Sequence, residues 1–190
     1  DQVTVNIIRA NWHTLTQAAR PPPPAGAAQT AALASASGSL ALHQAARAGC
    51  AAVVRCLLAA APHTAAVLNA AGRTPLHLAA LAGKHAVCRQ LLEAAPHAAL
   101  AVDGSPQSPL HDAVMAGHLE VVEVILAAVP EAARQLAGSW TLLHLAAWHC
   151  EVSILQRLLA AAPEMAIVGT GIARLPLHLA AGRGCTPGVA

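Results

Sequence analysis

Apolar residues recur as pairs four positions apart: Val53, Val54, Leu57 and Leu58, then Val87, Cys88, Leu91 and Leu92, then Val121, Val122, Ile125 and Leu126, then Ile154, Leu155, Leu158 and Leu159. Positions i, i+1, i+4 and i+5 share one face at helical period, so each set predicts a helix with one buried side. A shorter stretch built around a histidine precedes each set and appears once more near the C-terminal end. His43, His77, His111, His144 and His178 stand 34, 34, 33 and 34 residues apart. A fixed step of that size predicts small stacked units rather than one globular core.

Each unit shares an internal grammar, clearest in Thr74-Pro75-Leu76-His77-Leu78-Ala79-Ala80. Thr74 suits a helix N-cap, and Pro75 the first helical position, where its missing N–H costs nothing. Leu76 points into the stack, and His77 reaches back toward the cap as in a capping box. The first helix stops near Gly83, and the second ends before a proline: Pro62, Pro96, Pro130 or Pro163. Turn-forming residues such as Asn69 to Arg73 and Asp103-Gly104-Ser105 then lead into the next cap. The unit is therefore helix, turn, helix and projecting loop.

The motif T-P-L-H-x-A-A followed by glycine, the paired apolar residues, and N/D-x-x-G-x-T at Asn69, Gly72 and Thr74 resemble an ankyrin-repeat array. The resemblance implies an all-α solenoid of paired antiparallel helices with projecting β-hairpin-like loops. It covers residues 40–185, with units starting near 40, 74, 108, 141 and 175, the last one partial. Residues 1–20 form an N-terminal segment whose Leu15 to Arg20 echoes Leu42 to Arg47 at an offset of 27, either as a worn partial repeat or by chance. Residues 21–39, rich in Pro, Ala and Ser, read as a linker, and 186–190 as a disordered tail. Leu40 and Leu175 replace the cap residue, and Cys150 takes the place of the turn glycine. Unit five stops before a second helix, which predicts a frayed end.

Composition narrows the function. The chain has no Phe or Tyr and three Trp, and its abundant alanine favours closely approaching helices. A net charge of +2 spread over singly placed arginines is too dilute for a nucleic-acid footprint. The longest uncharged run, between Arg20 and Arg47, holds four prolines and cannot span a membrane. No secretory signal is visible, which suits a cytoplasmic or nuclear protein; without an initiator Met, the sequence reads as a fragment. Five cysteines without paired spacing suggest small buried thiols in a reducing compartment.

Eleven histidines raise the question of a metal. Motif histidines one repeat apart sit on helices about 8–10 Å apart, whereas zinc needs nitrogens at about 2 Å, so their role is structural and no cofactor is expected. A nucleophile elbow, a phosphate-cradling loop, H-E-x-x-H and paired carboxylates are all missing from the sequence, which argues against an enzyme.

The family resemblance implies that partners are gripped by loop tips and by the concave face of the first helices, at the two positions before the glycine. Those positions read Arg47-Ala48, Leu81-Ala82, Met115-Ala116, Trp148-His149 and Gly182-Arg183, with Arg73 and Gln107 at the loops. Leu81, Met115 and Trp148 make an apolar ladder between the basic ends Arg47 and Arg183. It suits another protein presenting an apolar helix or peptide with acidic flanks to a monomeric scaffold or adaptor. The competing reading folds Leu81 and Trp148 back onto their own repeats. A further alternative makes the array the regulatory arm of a larger enzyme or membrane protein.

Overall fold

The computed structural model describes residues 40–170 and 174–183. The expectations for residues 1–20, 21–39 and 186–190 lie outside that range. Among the described residues the chain forms four helix pairs: α1 (Ala41–Ala48) with α2 (Ala51–Ala60), α3 (Pro75–Leu81) with α4 (His85–Ala94), α5 (Pro109–Met115) with α6 (Leu119–Ala128), and α7 (Leu142–His149) with α8 (Val152–Ala161). A ninth helix, α9 (Pro176–Gly182), opens unit five.

First helices stack on first helices, and second on second, so the array has two helical layers with the core between them. Leu76, Leu110 and Leu143 from the first layer and Val87, Leu91, Val122 and Ile125 from the second are almost fully buried in that core. Each belongs to a periodic set read from the sequence, so the helical period is what builds the core. No described helix is long and apolar enough to cross a membrane.

Two features depart from the expected loop. The proline after each second helix does not simply stop it: Pro62–Ala66, Pro96–Leu100, Pro130–Arg134 and Pro163–Ile167 are 3-10 helices that proline opens at its first position. The fixed φ of proline suits that position, and the first three short helices bury small residues such as Ala65, Ala99 and Ala133 while the fourth buries Met165. The other departure concerns the projecting loops: among the described residues only that of unit three is a true hairpin. There β1 (Leu136–Ala137) and β2 (Trp140–Thr141) pair antiparallel, with Ala137 opposite Trp140.

Turn glycines are required where units touch. Gly83 has φ +69, and a Cβ there would lie 2.8 Å from the His118 ring of the next unit. Cys150 occupies the same left-handed conformation in unit four at φ 58, which a side chain rarely adopts. The expectation of buried thiols needs correction: Cys88 is buried, and burial pushes its thiol up to about 12. Cys50 is exposed, Cys56 half-buried, and Cys150 disulfide-bonded. Cys185 lies outside the described residues.

Unit five leaves its motif leucine open among the described residues. Leu177 is 73% exposed, although its counterparts Leu76 and Leu110 are fully buried. Leu175 sits at the N-cap of α9 with no side-chain acceptor. We expect Leu175→Thr to stabilise α9 by about 1 kcal/mol, read as roughly fivefold slower exchange of the Leu179 amide. Unchanged exchange would show that the missing cap does not limit this helix.

Candidate protein-binding face

The motif histidines form a spine across the units. Nδ1 of His43, His77, His111, His144 and His178 accepts the N–H of the residue three positions earlier, at 3.1 to 3.2 Å. That bond places the ring proton on Nε2. The proton is then donated across to the next loop: His43 to the Arg73 carbonyl at 3.1 Å, His77 to Gln107 at 3.1 Å, and His144 to Arg174 at 2.9 Å. Burial holds His43, His77 and His111 below the ordinary imidazole range, His111 down to about 4. The rings of His43, His77 and His144, bonded at both nitrogens, are crosspieces between repeats.

His111 breaks the rule. Its Nε2 is buried without a partner. The step that follows it is the one of 33 residues, where the loop closes as the β1–β2 hairpin. One residue fewer and a ladder bond to Trp140 change where the loop carbonyls can sit.

The ends of the first helices form one row and the residues just before each cap form a second. Leu81 and Trp148 are each 41% exposed, and Met115 is half-buried. In the second row Gln107 Nε2 lies 3.9 Å from Met115 Sδ. Trp140 packs edge-on against Trp148 at 5.8 Å between ring centroids. The Arg183 guanidinium lies 4.3 Å from the Trp148 ring centre, so units four and five share an aromatic and cationic cluster. Arg47 and His149 are exposed, His149 beside this cluster in sequence and Arg47 at the opposite end of the array.

Arg73 is tied to the next loop. Its Nε donates to Asp103 Oδ2 at 3.0 Å, and its outer nitrogen lies 3.8 Å from Asp112 Oδ1. Burial alone would raise the Asp103 carboxyl, but N–H bonds from Ser105 and Gln107 and the Arg73 guanidinium outweigh it and hold it low. Asp112 is fully buried, and neither of its oxygens has a hydrogen bond. Burial raises its carboxyl to about 6, with Asp103 adding to the rise and Arg73 opposing it.

Sequence reasoning missed Trp140, Arg174 and Asp112. Trp140 and Arg174 stand immediately before the next cap position, as Arg73 and Gln107 do, so register could have found them. Asp112 fills the variable slot that holds Leu78, Leu145 and Leu179 elsewhere, and its burial left no local mark. On the outer layer an open groove of about 650 Å³ runs between α4 and α6. Its walls set Arg89 against Glu120 and Glu123, charges that complement one another, with His85 on the same wall as Arg89.

This architecture, two layers of stacked helix pairs with a varied row on a repeated frame, defines a repeat solenoid. A family model described as ankyrin repeats (3 copies) matches residues 25–101 and 42–135, which together span more than half of the chain. The chain belongs to the ankyrin-repeat family. No curated protein matches it significantly.

Proposed function

We propose that this array binds another protein through its concave face, with Leu81, Met115 and Trp148 as the apolar contacts and Arg47, His149 and Arg183 around them. Ankyrin repeats are protein–protein interaction modules in general. The observation that carries the reading is that Leu81 and Trp148, equivalent positions of different units, are both 41% exposed while the frame beside them is buried. Large apolar side chains held at the surface by rigid helices suit an interface core. Gln107 supports the Met115 contact. Arg73, turned toward Asp103, acts by keeping the loops in place. The partner that fits is an apolar segment with acidic flanks, and the chain serves as a scaffold or adaptor.

The test is capture of a partner by the intact chain, followed by affinity measurements on variants. Met115→Ala with Trp148→Ala should weaken binding about tenfold or more, with an unchanged melting curve. Glu123→Ala, on the outer layer, should leave affinity intact. Unchanged binding by the double variant would remove the concave face from consideration.

A further inference from the structure

The rungs themselves say what shape of partner they accept, given that the concave face is the binding face. Leu81, Met115 and Trp148 stand at the ends of α3, α5 and α7, which pack on one another in order. Packed helices lie about 8–10 Å apart, so the rungs repeat at about that distance. Seven residues of an α-helix rise about 10.5 Å and return to nearly the same face. A β-strand covers a similar distance in three residues but turns its side chain to the opposite face.

The backbone along the ladder offers little to an extended chain. At the end of α3 the N–H groups of Ala82, Gly83 and Lys84 bond to Leu78, Ala80 and Ala79. Ala116, Gly117 and His118 do the same after α5, and Cys150 and Glu151 after α7. Nearby polar side chains are also engaged, Gln107 with Met115 and Arg73 with Asp103. A strand or polyproline segment laid on this row would leave its own buried N–H and C=O groups unmatched, at about 1–3 kcal/mol each. A helix satisfies them internally.

Charge sets the ends. Arg174 is exposed, and neither it nor Arg183 has an acidic partner among the described residues. Arg183 lies over the Trp148 ring, and Arg174 holds the position before the cap of unit five that Trp140 holds before the cap of unit four. We propose that the occupant of the concave face is an α-helix with apolar residues at i, i+7 and i+14, which meet Leu81, Met115 and Trp148, and with acidic residues at the end that reaches Arg174 and Arg183.

The experiment uses the full chain and three labelled synthetic peptides in fluorescence anisotropy. One carries leucines at i, i+7 and i+14 on a helix-forming background with an acidic end. The second has the same composition with leucines at i, i+3 and i+6. The third repeats the first with glutamine for the acids. The first should bind about tenfold tighter than the second, and Trp148→Ala should weaken it about tenfold. Arg183→Gln should weaken the first peptide and leave the third unchanged. Tighter binding of the second peptide, still sensitive to Trp148→Ala, would overturn the helix and leave the concave face standing. No measurable binding of the first peptide would also overturn the helix, while the captured-partner variants decide the face independently. Equal effects of Arg183→Gln on the first and third peptides would overturn the charged end.

Discussion

His77→Ala lowers the stability of the array by about 3–5 kcal/mol, and His111→Ala by about 1 kcal/mol less, although both rings are completely buried. The His77 ring accepts the Thr74 N–H at 3.1 Å, contacts the Thr74 hydroxyl at 2.9 Å, and donates to Gln107 at 3.1 Å. Truncation leaves a cavity and strands these groups on both sides of a unit boundary. His111 has the first two interactions and lacks the third. Urea unfolding of the two variants checks this, and equal losses would show that the cross-repeat bond contributes nothing.

The same histidines give the array an acid sensitivity with a definite sign. Burial lowers the folded-state affinity of His43, His77 and His111 for a proton from the ordinary value of 6.5. Below that value the unfolded chain binds more protons, so stability is fully present above it and is lost as pH falls. For His111 the loss extends down to about 4.

Asp112→Leu should stabilise the protein at pH 8 by about 2–3 kcal/mol, the second large effect. The carboxylate is fully buried, has no hydrogen bond, and lies 3.8 Å from the Arg73 guanidinium. Leucine already fills the equivalent slot at positions 78, 145 and 179, and Arg73 keeps its bond to Asp103. The sign is opposite to that of the histidines. A folded-state carboxyl raised from 3.8 to about 6 means that the folded state binds more protons between those values. Wild-type stability therefore recovers through this group as pH falls from about 6 toward 3.8, and the advantage of the leucine variant shrinks over that window. Denaturant midpoints for the two proteins at pH 8 and pH 4.5 test it. A variant less stable than wild type at pH 8 would show that Asp112 supports Arg73 more than its burial harms the fold.

The helices were legible because their signals are short-range. Thr74, Pro75 and Gly83 mark one helix from within ten residues of sequence, and the apolar pairs show which face is buried. The 3-10 helices after Pro62, Pro96, Pro130 and Pro163 were not, since a proline that stops one helix looks the same as one that starts another. The ion pair of Arg73 was not legible, because Asp103, which takes its guanidinium, lies 30 residues further on. Trp148 was visible as a rung, whereas nothing local marked that Trp140 packs on it.

By itself, then, the sequence determined the repeat, the helix faces, the caps and the row of positions that varies over a constant frame. These follow from local period and from backbone chemistry within one unit. Only the tertiary structure decided which of those positions are exposed, which histidine lacks its acceptor, and where a carboxylate is buried. Each of those outcomes depends on atoms supplied by the neighbouring unit about one repeat away, and no local pattern encodes how closely two units approach.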